Sequence, residues 1–146
     1  MATRRPRVLV VEDDLVIRFD VADTLRDAGY AVIEAESGDH GLQLLKSGIE
    51  FDLVCSDIRM PGSYDGNELA RAIKATHPSI KVILMSGAAV GEGMPPWADG
   101  FLLKPFDTPQ LLALVADMLI ACWTERVTFG KEPLLQTPLP RSINPN

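Results

Sequence analysis

Phe51-Asp52-Leu53-Val54-Cys55-Ser56-Asp57-Ile58-Arg59-Met60-Pro61-Gly62 starts as a short apolar run and stops at a carboxylate, Asp57. The run suits a buried strand. Pro61 then removes a backbone donor, so the segment cannot continue as a central strand. In open α/β sheets the carboxyl ends of the strands are where ligands bind. A lone Asp at such a place more often closes a strand in a polar loop. The flanking segments decide which reading holds for Asp57.

Upstream, Arg7-Val8-Leu9-Val10-Val11 is a nearly continuous β-branched run that ends in Glu12-Asp13-Asp14. Such a run fits a strand covered on both faces. Helical spacing of Ile17, Val21, Leu25 and Ala28 predicts a helix over about Leu15 to Ala28, stopped at Gly29. Tyr30 to Ala35 reads as a second strand. Ser37 can cap a helix to about Lys46, with Leu42 and Leu45 inward. Downstream of Asp57, Asn67 opens a helix striped by Leu69, Ala70 and Ile73, which Pro78 stops by His77. Lys81 to Ser86 is a fourth strand and Gly100 to Lys104 a short fifth, broken by Pro105. Thr108 and Pro109 start a last helix, to about Thr124, with Leu111, Leu114, Val115, Met118 and Leu119 inward.

Strand and helix alternate, which predicts a parallel sheet with right-handed crossovers. The expected fold is α/β, flavodoxin-like and doubly wound, with five strands in the order 2-1-3-4-5. One crossover is irregular. Between Gly87 and Asp99, three glycines and the adjacent Pro95 and Pro96 argue for a loop or a single turn in place of a full fourth helix.

The 146 residues are 47% hydrophobic, enough for one domain with a real core. A net charge of −6 argues against a nucleic-acid surface, since Arg4, Arg5 and Arg7 form the one basic cluster. No apolar run approaches the roughly 20 residues of a membrane span, and a cytoplasmic protein is expected. Cys55 and Cys122 read as small buried hydrophobes and not as a disulfide or metal pair. Residues 7–124 read as the domain, with 1–6 and 125–146 as flexible extensions.

In the 2-1-3-4-5 order, the ends of strands one, three, four and five bring Glu12, Asp13, Asp57, Ser86 and Lys104 to one rim. Two carboxylates about 4 Å apart repel by roughly 4 kcal/mol at an effective dielectric near 20. Three together need a cation or protons. Hard oxygen ligands open to solvent suit Mg²⁺, with Mn²⁺ as an alternative. With the cation present, Asp57 can act as a nucleophile on phosphorus. Lys104, Ser86 and nearby backbone N–H groups could then neutralise the oxygens of the transferring group. Gly87 has no side chain to obstruct it.

Val-Val-Glu-Asp-Asp after the first strand, Asp57-Ile58-Arg59-Met60-Pro61-Gly62, Ser86-Gly87-Ala88 and Lys104-Pro105-Phe106 resemble the receiver domain of two-component response regulators, the CheY-like fold. The resemblance covers about Arg7 to Trp123. It implies that a histidine kinase or histidine phosphotransfer protein donates a phosphoryl group to Asp57. It implies Mg²⁺ held by Asp13, Asp57 and the Arg59 carbonyl, with Glu12 acting through water. Backbone N–H groups of Ile58, Arg59 and Gly87 would receive the phosphoryl group. Ser86 would turn inward on phosphorylation, and an aromatic on the fifth strand would move with it. Phe101 takes that place without the hydroxyl of the more usual tyrosine, and core packing is an equal reading. Arg59 reads as a solvated arginine, His40 and His77 as helix-surface groups, Trp97 and Trp123 as packing groups.

The expectation is a stand-alone phosphoacceptor in a two-component phosphorelay that switches binding to an unidentified downstream protein, with a homodimer left open. It would catalyse its own phosphorylation and dephosphorylation, and so is not an enzyme in the usual sense. The alternatives are a receiver-fold interaction module without phosphorylation and a receiver from a hybrid histidine kinase. An aspartyl phosphatase of the haloacid-dehalogenase type is disfavoured, because Arg59 stands where those enzymes have a second acid.

Overall fold

A computed structural model describes residues 4–87 and 95–128, the last six as backbone only. Strands β1 (Arg7–Val11), β2 (Ala31–Ala35), β3 (Leu53–Asp57), β4 (Lys81–Ser86) and β5 (Gly100–Leu103) form one sheet in the order β2-β1-β3-β4-β5. All four pairings are parallel. Helices α1 (Leu15–Asp27), α2 (Gly38–Lys46), α3 (Gly66–Thr76) and α4 (Thr108–Thr128) complete the described elements.

Side chains alternate across a strand, so β1 feeds two cores at once. Val8 and Val10 pack with Val21 and Leu25 of α1 and with Leu111, Val115 and Leu119 of α4. Leu9 and Val11 face the other way, onto Leu45 of α2 and Leu69, Ala70 and Ile73 of α3. Leu9, Leu25 and Leu69 are fully buried. Each contributes about 1.5–3 kcal/mol relative to an exposed side chain. With both faces covered, the strands have to be apolar throughout, and chemistry is confined to the sheet's ends.

Of the helix starts, that of α1 is as expected and those of α3 and α4 are not. Asp14 caps α1 by accepting from the N–H groups of Val16 and Ile17 at 2.9 and 3.1 Å. α3 opens at Gly66, not Asn67, because Asp65 and Glu68 form a reciprocal capping box. Asp107, not Thr108, caps α4: its carboxylate accepts from Gln110 N–H at 2.8 Å, and Gln110 accepts from Asp107 N–H at 2.9 Å. α4 continues past Thr124 to Thr128, and β5 ends at Leu103. Gly29 closes α1 with φ +101°, where a β-carbon would be strained.

Among the described residues no helix lies between β4 and β5. The expected loop falls partly outside them at 88–94, as does the expected extension from 129 onward. Cys55 and Cys122 are buried and outside any disulfide, and burial pushes the Cys55 thiol up to about 12. Trp97, expected to pack, is 42% exposed. Among the described residues, no helix is long and apolar enough to cross a membrane.

Candidate functional site

The register sets the site. Val11 lies beside Ser56, Asp57 beside Met85, and Ser86 beside Leu103. The next residue along β1 and along β5 is therefore Glu12 and Lys104, on the same edge as Asp57 and Ser86. All the side chains expected on the rim come to one end of the sheet.

Glu12 is the most buried of them, with its side chain 1% exposed. Lys104 Nζ reaches Glu12 Oε1 at 2.9 Å and Asp57 Oδ1 at 3.1 Å, bridging the two acids. At such distances a unit-charge pair gains on the order of 5 kcal/mol at a dielectric near 20, before the cost of dehydrating either group. Glu12 Oε2 also accepts from Asp14 N–H at 3.2 Å. Burial pushes the Glu12 carboxyl above its ordinary value, and the Asp57 charge adds to this. The Lys104 and Asp14 hydrogen bonds oppose the shift without cancelling it. For Lys104, burial pulls downward, but Glu12 and Asp57 together hold the ammonium above the usual lysine value.

Asp13 is exposed at the mouth. One oxygen each from Glu12, Asp13 and Asp57 lies within 4.8 Å of the others. Three carboxylates held so close, with Lys104 touching two of them, are a donor set that could hold a hard divalent cation. The residues fit such an ion.

Tight packing behind Asp57 keeps its backbone in place. Ser56 Oγ donates to the Asp57 carbonyl at 2.9 Å, and Gly66 N–H donates to the Ile58 carbonyl at 2.7 Å. A β-carbon on Gly66 would collide with the Asp57 carbonyl oxygen and stand 2.7 Å from Ile58 Cα. Gly66 therefore lets α3 abut the strand end, a role the sequence reading missed although the Asp65-x-x-Glu68 pattern marks this helix start.

The other expected residues separate into three groups. Ser86 is buried at the same edge as Asp57, and beyond its chain neighbours no atom of the described residues lies within 4 Å of a β-carbon placed on Gly87. Ile58 is a correction. Its N–H donates to the Met85 carbonyl at 2.9 Å, extending the β3–β4 ladder, so it has no donor to offer a phosphoryl group. Arg59 is exposed, as expected of a solvated arginine. Phe101 is half-buried against the core under α2 and α3, a packing contact. His40 and His77 lie on α2 and at the end of α3.

A second feature beside the site was not anticipated. Leu15, Val16 and Phe19 of α1 are 65%, 75% and 59% exposed. Val16 and Phe19 line a groove of about 590 Å³ with Lys104, Pro105 and Phe106. The Lys104–Pro105 peptide bond is cis.

Residues 8–116 match the family described as the response regulator receiver domain. The chain is 42% identical over 117 residues to the sensor kinase CckA of Brucella abortus, covering 77% of this chain and 12% of that kinase. Solved structures share the fold, two of them as follows. A response regulator receiver domain protein from Methanospirillum hungatei superimposes with a TM-score of 0.77 at 28% identity, over 84% of this chain and 99% of that one. The response regulator protein TrrA of Thermotoga maritima, solved in complex with Mg²⁺–BeF, gives 0.72 at 34% identity, over 78% and 99%.

Proposed function

Because the chain belongs to the response regulator receiver domain family, we propose that Asp57 accepts a phosphoryl group from a phosphohistidine and that its phosphorylation switches binding to another protein. The observation that carries this reading is the bridge itself: Lys104 held between Glu12 and Asp57, with Asp13 at the mouth of the same acid cluster. Ion-pair geometry of this kind at a strand end is costly to build for packing alone, since three acids crowd together and one lysine pairs with only two of them.

Asp13, Asp57 and the Arg59 carbonyl would hold Mg²⁺, with Glu12 acting through water. The bound ion supplies neutralisation of charge on the transferring group. TrrA, the relative solved with Mg²⁺–BeF, supports the choice of ion. An Asp57 carboxylate oxygen attacks phosphorus, the phosphorus–nitrogen bond of the donor breaks, and its electron pair returns to the imidazole. The product is a mixed anhydride on Asp57. Lys104 is placed to donate to one phosphoryl oxygen, and Ser86 with the N–H groups of Arg59 and Gly87 to others. Water attacking the phosphorus later breaks the anhydride, releases inorganic phosphate and returns the Asp57 carboxylate. No separate substrate is turned over, so the domain is a switch in a phosphorelay.

A protein donor must bring its phosphohistidine to Asp57, and the apolar face of Leu15, Val16 and Phe19 borders the groove that Lys104 lines. We assign that face to the donor. A second reading places the same chemistry in a hybrid histidine kinase, which the likeness to CckA favours. Both readings require Asp57. Incubation with Mg²⁺ and a small acyl-phosphate donor, followed by intact mass, should add one phosphoryl group to the wild-type chain and none to Asp57→Asn. Equal uptake by both proteins would overturn the assignment.

A further inference from the structure

Arg18 stands where a helix does not favour it. It lies at the fourth position of α1, near the positive end of the helix dipole, where acidic residues are preferred, and the first turn has no acidic residue. Its side chain is nonetheless only 15% exposed and is held by two partners. Nη1 donates to the Glu12 carbonyl at 3.0 Å, and Nε donates to Glu34 Oε1 at 3.2 Å. Glu34 in turn accepts from Arg26 Nη1 at 3.1 Å, and Arg26 Nη2 is held on the Val32 carbonyl at 3.2 Å. The guanidinium is thus fixed from β2 and aimed at the β1–α1 turn.

The consequence falls on Glu12. Its N–H is tied to the Ala35 carbonyl at 3.0 Å, and its own carbonyl is tied to Arg18. With donor and acceptor both engaged, the peptide planes on either side of Glu12 are set. The side chain of Glu12 then leaves toward Lys104, and Asp13 follows at the mouth. A planar fork suits such two-point holding, whereas an ammonium does not.

Resting on the Mg²⁺-dependent reading above, we propose that Arg18 is a positioning residue, which orients the Glu12–Asp13 turn for the cation by holding the Glu12 carbonyl. Its charge works in the opposite direction. A cation near three carboxylates opposes Mg²⁺, so if Arg18 acted through charge alone, its removal would tighten binding. If it acts through orientation, its removal loosens binding. The sign of the change separates the two.

The test is isothermal titration of the full chain with MgCl₂, with no phosphodonor present, on wild type, Arg18→Met and Arg18→Lys. Partners that orient metal ligands typically contribute 10–100-fold in affinity. Because the contact here is to a backbone carbonyl, we expect Arg18→Met to raise the Mg²⁺ Kd about 3- to 10-fold. Arg18→Lys keeps the charge on a single donor nitrogen but loses the fork, and its Kd should fall between the other two. Charge alone would leave Arg18→Lys unchanged, so this variant decides the matter if Arg18→Met fails to fold by circular dichroism. Wild-type protein that binds no Mg²⁺ overturns both the Mg²⁺-dependent reading and this one. Wild-type binding with an unchanged or lower Kd in the variants overturns this one alone.

Discussion

Replacing Lys104 with Met removes the ammonium that bridges Glu12 and Asp57 at 2.9 and 3.1 Å and keeps most of the aliphatic stem. Two effects of opposite sign should follow. Without metal, the protein is less stable, because Glu12 stays buried with no cation beside it. Breaking a buried pair commonly costs about 3–5 kcal/mol. Here Glu12 has an escape, since it can take up a proton. From its ordinary 4.5 to pH 7 is about 2.5 pH units, which limits that cost to roughly 3.4 kcal/mol. Burial already raises the carboxyl in the native protein, so part of that cost is present before the substitution. We therefore expect a loss of about 1–3 kcal/mol, seen as a fall in Tm of roughly 3–12 °C in EDTA. Mg²⁺ should bind more tightly. A divalent ion about 6 Å from a unit charge is repelled by about 1.4 kcal/mol even at the dielectric of water, which is tenfold in Kd. The gain should shrink as pH falls and Glu12, its carboxyl raised by burial, takes its proton. Phosphoryl uptake should slow, since a donor to the transferring group is lost. Thermal denaturation in EDTA and Mg²⁺ titration read the two effects separately. Unchanged Tm with unchanged or weaker Mg²⁺ binding would show that Lys104 does not pair with these acids.

Other substitutions probe the same edge of the sheet. Glu12 has a raised native value, so the native state keeps a proton that the unfolded chain releases. The associated stability is fully present below 4.5 and lost as pH rises through the raised value. Metal-free Glu12→Gln should therefore match wild type in acid and exceed it in Tm at neutral pH; a difference that stays flat with pH would contradict the burial effect. Gly66→Ala should destabilise by up to about 2 kcal/mol in urea, because an overpacking cost of about 1–3 kcal/mol, at its upper end against backbone atoms, exceeds about 1 kcal/mol of helix propensity. A more stable variant would mean that α3 can yield there. Phe19→Ser should slow transfer from a phosphohistidine protein about tenfold while leaving uptake from a small acyl phosphate unchanged. Equal slowing with both donors would argue against the α1 face as the docking surface.

How much of this was legible in the sequence depended on what each residue needs. β1 and β3 must be apolar on both faces, so Val8 to Val11 and Leu53 to Cys55 announce themselves, and the acids at their ends stand out against them. Strand order then brings Glu12, Asp57 and Lys104 together without further information. Asp65 and Asp107 were legible too, through their partners three residues on, but Asn67 and Thr108 also satisfy simple capping preference. Ile58 was not legible. Whether its N–H is spent depends on the β3–β4 register, which no local pattern encodes. Arg18 was hidden for a similar reason, since its partners Glu12 and Glu34 sit on two different strands. The exposure of Leu15, Val16 and Phe19 follows from which face of α1 meets the sheet, and their apolar character alone suggested the opposite.

The most direct measurement is to locate the phosphoryl group. The protein is incubated with a small acyl phosphate in Mg²⁺ or in EDTA, quenched, and digested, and the peptides carrying Asp13, Asp57 and Ser86 are sequenced by tandem mass spectrometry. We expect the added mass on Asp57 in Mg²⁺ and no modified peptide in EDTA. Modification at Asp13 or Ser86, or equal labelling of Asp57 without divalent ion, would contradict the role assigned to the acid cluster.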